Sequence, residues 1–327
     1  MRLVTFIPKG GNPRLGAVKG TWKRWDYIVD LNTVSGGLLP FDMISFVELC
    51  GTLKGEKWEK AKKIVENTPS GYRPSDVRIC PPIVPRLLRD TIAFRGHIYR
   101  VRIARGVQVP QQWDNLPAYY NGNHLNVIGT EEDVPLRTYL VHEDGQRIKT
   151  TARLDYEAEL AFVLGKGGTN IPKDRAKECL FGITIFNDFS MRDLQLAAME
   201  VRLGPAPGKD WVNALGPCIV TADEFGDFDG KRIIVRVNGK ERMNGTYQEL
   251  VYRNPYVKSG ERVAWTFEEM VEFISHCQNI HVGEVWGSGT IPGGCELEKG
   301  EDAQYLRRGD TVEIEVEDIG VLRNKVT

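Results

Sequence analysis

Residues 153–165, RLDYEAELAFVLG, set carboxylates at alternate positions, Asp155, Glu157 and Glu159, directly ahead of an uninterrupted apolar run. In an extended strand, residues i, i+2 and i+4 share a face. The pattern therefore predicts one strand with three anions about 7 Å apart on one side and Tyr156, Ala158 and Leu160 on the other. Such a face is either solvated or neutralised. The apolar residues that follow carry the strand toward a core, and a carboxylate drawn partway into a core needs a cation. A donor set made of oxygen suits Mg²⁺ or Ca²⁺ better than zinc.

Two further segments carry polar groups that could join this face. FGITIFNDFSMRDLQ reads as an apolar strand over 181–187, ending at Asn187-Asp188 and feeding a helix. Ser190 with Asp193 three residues on has capping-box spacing, and Arg192 and Gln195 share a helical face at i, i+3. RDTIAFRGH places Asp90 seven residues before His97, a histidine that is either a satisfied structural residue or a functional one. The other histidines, at 124, 142, 276 and 281, show no ligand spacing among themselves.

The rest of the chain bounds the problem. Its 327 residues suit one large domain with a smaller one. The Pro/Gly/Ser stretch TPSGYRPSD puts the boundary near residue 75: a small α/β unit over 1–75, then a mainly β body over 76–327. In the first unit, RLVTFIP, RLGAVKG and WDYIVDLN read as strands, and FDMISFVELCG and KWEKAKKIVEN as helices, the former closed by Gly51. In the body, IIVRVNGKERMNG carries an Asn-Gly hairpin signal. DTVEIEVEDIGVLRNKV alternates like a half-buried antiparallel strand, and TFEEMVEFISHC opens on a capping box, Thr266 with Glu269. A net charge of −1 gives no pull toward nucleic acid or an anionic membrane. No apolar run approaches the roughly 20 residues of a spanning helix, and the opening MRLVTFIPKGG lacks the apolar core and cleavage site of a signal peptide. Six cysteines, none in C-x-x-C spacing, read as reduced, mostly buried thiols of a cytoplasmic protein. GPAPGKD misses the phosphate-loop pattern, having three residues between its glycines and Asp210 after Lys209.

Taken together, RDTIAFRGH, LPAYYNG, LDYEAELAFVLG, FNDFSMRDLQ, LGPAPGKDW and GSGTIPGG occur in an order that resembles the fumarylacetoacetate hydrolase family, from about residue 80 to the C-terminus. The resemblance implies an α+β, mainly β fold, a roll of mixed sheets behind a small N-terminal domain, and a homodimer. It implies that Glu157, Glu159, Asp188 and Asp90 hold Mg²⁺, Mn²⁺ or Ca²⁺, that His97 is the general base, and that Arg192, Gln195 and Lys209 surround the metal and the substrate oxygens. Tyr120 and Thr290 match substrate-contacting positions, and Glu296 is assigned as the acidic partner of His97. Asp155 begins the motif but matches no usual ligand. The activity implied is hydrolysis of a C–C bond in a 1,3-diketone or acylpyruvate-type oxo acid, with decarboxylation, hydration or isomerisation of a 2-oxo acid as the alternative. Ile92, Glu200 and Asn213 depart from the family's fumarylacetoacetase pattern, and they do so around the substrate rather than the metal.

Overall fold

The computed structural model describes all residues except 104, 105, 143, 144, 254 and 256, and the side chain of Gln146. One long sheet organises it. Strands β1 (Arg2–Pro8), β2 (Arg14–Gly20) and β3 (Trp25–Asp30) form its first edge, followed in sequence by helices α1 (Met43–Cys50) and α2 (Glu56–Asn67). Next come β4 (Leu87–Thr91), helix α3 (Arg95–Ile103) and β5 (Tyr119–Gly122). Strands β6 (Ala158–Leu164) and β7 (Leu180–Asn187) precede helix α4 (Arg192–Glu200) and strand β8 (Asn213–Thr221). Strands β9 (Arg232–Val237) and β10 (Lys240–Thr246), helix α5 (Phe267–Cys277) and β11 (Glu284–Gly287) follow, and β12 (Thr311–Val316) and β13 (Gly320–Val326) close the chain.

The main path of the long sheet runs β3-β2-β1-β8-β7-β6-β11-β4-β5, antiparallel except for the parallel pair β11–β4; off this path, Val77–Ile79 pairs with β1 and Val127–Ile128 pairs parallel with β8. Residues 1–75 thus supply strands to the same sheet as the body. Phe46, Trp58 and Leu3 pack in one cluster with Ala161, Phe181, Phe186 and Val285. The second sheet, β10-β9-β12-β13, is extended by the short strand Asp133–Val134. Asn238 and Gly239 both take positive φ at the β9–β10 turn, the conformation that the Asn-Gly pair favours. The alternating C-terminal stretch forms two strands rather than one. It folds back around Asp318, at φ 68°, and buries one side of each strand.

Capping separates the two expected helix starts. Thr266 and Glu269 form the reciprocal capping box of α5. Ser190 does not cap α4: it lies in a short strand paired with Leu154–Asp155, and the helix begins at Arg192. Asp193, expected to close the box, accepts hydrogen bonds from the Thr151 hydroxyl (2.6 Å) and the Ala152 amide (3.0 Å). A tertiary acceptor role has displaced the local one.

The register of the central strands sets the site. Asp90 of β4 lies opposite Gly287 of β11 and Tyr120 of β5, while Ala161 of β6 pairs with Gly287 on its other side. Gly287 makes room for the carboxylates. A Cβ there would sit 2.5 Å from Asp90 Oδ1 and 2.7 Å from Glu159 Oε2, closer than atoms in contact can come.

Candidate metal centre and active site

Residues 153–160 do not form one strand. Leu154–Asp155 pairs with Ser190–Met191, the chain breaks, and β6 begins at Ala158. Asp155, Glu157 and Glu159 are all buried, so the solvated alternative for this face is wrong. The break sends them to two destinations. Glu157 and Glu159 turn toward Asp90 and Asp188, and one carboxylate oxygen of each of these four residues lies within 4.8 Å of the others. Asp155 turns the other way. It accepts from the amides of Tyr156, Glu296 and Leu297 (2.9, 2.9 and 3.0 Å) and from Arg192 Nε (2.9 Å).

Among the described residues, the buried cations paired with the cluster are Arg192 and Lys209. Arg192 Nη2 is 2.8 Å from Asp155 Oδ2 and 2.7 Å from Glu157 Oε1, and its Nη1 donates to Gln195 Oε1 at 3.0 Å. Lys209 Nζ bridges Glu157 and Asp188. The Tyr120 hydroxyl donates to Asp188 Oδ2 at 2.8 Å, and the Gly289 amide to Glu159 Oε2 at 3.0 Å. Five carboxylates therefore face two cations, which leaves a formal excess of negative charge in a buried volume.

The titration of the groups follows from that imbalance. Burial pushes Asp90 up to about 6, and burial together with the neighbouring anions pushes Glu159 and Asp188 well above the usual carboxylate range. Glu157 behaves oppositely. Burial works to raise it, but Arg192 and Lys209 outweigh that and hold it well below its ordinary value. Lys209 is raised in turn: burial works to lower it, and Asp188 and Glu157 prevail.

A divalent cation fits this arrangement. Asp90 Oδ1, Glu159 Oε1 and Asp188 Oδ1 are buried with no hydrogen-bond partner. Orphaned carboxylate oxygens are costly unless something positive meets them. The oxygens converge and the donors are hard, which suits a Mg²⁺-like ion.

Beside the cluster opens a cavity of about 740 Å³. Its polar end is lined by Asp90, Glu157, Arg192, Gln195, Lys209 and His97, with Tyr120 and Thr290 alongside; Ile92, Ile98, Val101, Leu196 and Met199 make its apolar wall. Glu200 also lines it, whereas Asn213 does not.

His97 sits on the first turn of α3, buried, with Nδ1 2.6 Å from Glu298 Oε1. The partner of His97 is therefore Glu298, which corrects the expectation that it is Glu296. Glu296 is committed elsewhere. It accepts from the Tyr156 hydroxyl (2.9 Å), Lys299 Nζ (2.7 Å) and the Gln304 amide (2.8 Å). A 3₁₀ turn over Leu297–Asp302 orients the two glutamates differently, and nothing in a two-residue spacing distinguishes them beforehand. Glu298 Oε2 accepts from the Gly293 amide at 2.7 Å, which fixes the carboxylate and leaves Oε1 for the imidazole. A neutral imidazole that donates from Nδ1 to a carboxylate keeps Nε2 as a base.

The model of the fumarylacetoacetate (FAA) hydrolase C-terminal domain matches residues 87–327, and the chain belongs to that family. It is 30% identical over 216 residues to oxaloacetate tautomerase YisK of Bacillus subtilis, a match spanning 62% of this chain and 66% of that one, just under two thirds of the relative's length. It is 27% identical over 338 residues to the mitochondrial oxaloacetate tautomerase fahd2 of Xenopus laevis, across 100% of this chain and 90% of the relative. Among solved structures, the fumarylacetoacetate hydrolase of the psychrophile Exiguobacterium antarcticum superposes with a TM-score of 0.68 at 20% identity, covering 100% of this chain and 99% of that one, which shows the shared fold. No helix among the described residues is long and apolar enough to cross a membrane. The six cysteines are free, and all but Cys277 are buried.

Proposed function

We propose that this chain is a divalent-metal-dependent hydrolase that cleaves a C–C bond in an acylpyruvate or related 1,3-dicarbonyl acid. The observation that carries the reading is that His97, paired with Glu298, lines the same cavity as Asp90 and Glu157 of the four-carboxylate cluster. A hydrolase needs a base beside the group that binds the substrate's oxygens.

Asp90, Glu157, Glu159 and Asp188 would hold the ion, which when bound draws the oxygens of the oxo acid and lowers the cost of negative charge developing on them. His97 Nε2 takes a proton from water, and Glu298 holds the imidazole in the required tautomer and stabilises the imidazolium. The resulting hydroxide adds to the acyl carbonyl carbon. Gln195, Arg192 and Lys209 line that end of the cavity and supply donors to the oxyanion, each worth about 3 kcal/mol of barrier where well placed. The C–C bond breaks, its electron pair passes to the pyruvate carbon, and His97 returns the proton there. The apolar wall of Ile98, Val101, Leu196 and Met199 would take the acyl tail. Magnesium, manganese and calcium all suit the donor set. A homodimer and a cytoplasmic location belong to the same proposal.

A second reading is favoured by the tautomerase relatives. There the same pair moves a proton between the carbon next to the oxo group and solvent, with no C–C cleavage. Incubating the Mg²⁺-loaded protein with a panel of acylpyruvates and with oxaloacetate, in oxygen-18 water, separates the two. Hydrolysis leaves one labelled oxygen in the released acid and produces pyruvate. An intact carbon skeleton with accelerated keto–enol exchange would overturn it in favour of tautomerisation.

A further inference from the structure

A second set of ligand atoms shares the cavity with the first, through His97 on one side and Asp90 and Glu157 on the other. One atom each of His97, Cys295 and Glu298 lies within 4.8 Å of the other two, and all three residues are buried. Its chemistry differs from that of the acidic cluster. Imidazole nitrogen, thiol sulfur and a single carboxylate make a borderline-soft set, the type that selects Zn²⁺ over Mg²⁺. The cavity reaches His97, which gives an ion an entry path, and the Gly293 amide holds Glu298 Oε2 so that Oε1 faces the imidazole.

We propose that His97, Cys295 and Glu298 form an inhibitory zinc site beside the catalytic Mg²⁺ site, sorted from it by ligand chemistry. Tetrahedral zinc, with bonds of about 2.0–2.3 Å, keeps its ligand atoms about 3.6 Å apart. The trio reaches that geometry by shifts of about 1 Å, the His97–Glu298 contact opening and the thiol closing in; a water from the cavity fills the fourth position. The balance is simple. The Cys295 thiol loses one proton to solvent and binds as thiolate, while the imidazole proton moves from Nδ1 to Nε2 as Nδ1 takes the metal. That movement removes the basic lone pair at Nε2 and detaches Glu298. Arg100 Nε, 3.6 Å from Glu298 Oε2, and Arg192, whose charge is felt at Cys295, oppose the ion; the thiolate and the Glu298 carboxylate offset them, and Arg192 is already paired with Asp155 and Glu157. Binding follows from the trio alone; inhibition rests in addition on His97 acting as the base.

The test uses the full-length protein saturated with Mg²⁺ and titrated with Co²⁺, which reports thiolate ligation by an intense near-ultraviolet charge-transfer band that oxygen ligands do not give. One equivalent of thiolate-bound cobalt is expected, displaced by Zn²⁺, surviving Cys277→Ser and absent in Cys295→Ser, with Zn²⁺ affinity in that variant weakened about 100-fold or more. If Cys295→Ser fails to fold, His97→Ala replaces it and must weaken cobalt binding at least about tenfold. No band in the wild type, a band that persists in folded Cys295→Ser, or an unweakened His97→Ala overturns the site. Zinc bound with the band present but catalysis unaffected overturns the inhibition, and with it the role of His97 as base, while the site stands.

Discussion

Replacing Glu159 by Gln should make the metal-free protein more stable and the metal-loaded protein less so. Glu159 Oε1 has no partner, and the carboxyl shares its volume with Asp90 and Asp188. Two full charges no more than 4.8 Å apart at an effective dielectric of about 20 repel by about 3 kcal/mol or more. The metal-free chain meets part of this as repulsion and part as the cost of holding Glu159 protonated, since its carboxyl is pushed well above the ordinary range. Gln keeps the oxygen that accepts from Gly289 and turns an N–H toward the neighbouring carboxylates. The expected gain without metal is about 1–3 kcal/mol. With Mg²⁺ at a hundred times its dissociation constant the wild type gains about 2.7 kcal/mol, and a variant that has lost a ligand gains less than about 1 kcal/mol. Urea denaturation in EDTA and again in Mg²⁺ reads both numbers. A Glu159→Gln protein less stable than the wild type in EDTA, or equally stabilised by Mg²⁺, would refute the claim that these carboxylates are gathered for a cation.

Other expectations follow from the same contacts. Asp90 is raised to about 6, so its folded form keeps a proton that the unfolded chain releases near 3.8. Stability from this group is full below about 4 and lost as pH rises through 6, about 3 kcal/mol in all; the stability difference between metal-free wild type and Asp90→Asn, followed across that window, should change by this amount and in this direction. Asp155→Asn puts an NH₂ group where Arg192 and the Leu297 amide now donate, and should cost about 3–5 kcal/mol in a urea titration; a loss under about 1 kcal/mol would remove Asp155 from its place as the anchor of Arg192. Glu298→Gln should lower kcat by about 10²-fold or more with KM little changed and the acid limb of the pH–rate profile displaced, whereas Glu296→Gln should lower the melting temperature and leave that limb in place.

How much of this the sequence carried depends on how local each determinant is. The Asn-Gly turn, the Thr266–Glu269 box and the helix over Met43–Cys50 are set by neighbours within a few residues, and the periodicities show them. Ser190 and Asp193 have the same local signal and a different fate, because Thr151, Ala152 and the strand at Leu154 offered better partners from far along the chain. The four carboxylates were identifiable through motif resemblance, but their convergence depends on Gly287 lying between Asp90 and Glu159, a fact of sheet register. The choice between Glu296 and Glu298 rests on a 3₁₀ turn whose direction two residues of spacing cannot reveal. Cys295 carried no signal at all, since a thiol outside any C-x-x-C pair reads as core.

Anomalous diffraction from crystals soaked in Mn²⁺ asks the central question outright. One strong manganese peak is expected, enclosed by oxygens of Asp90, Glu157, Glu159 and Asp188, with the three orphaned oxygens now ligated. A map with no peak among these residues, or manganese held only at the protein surface, would contradict it.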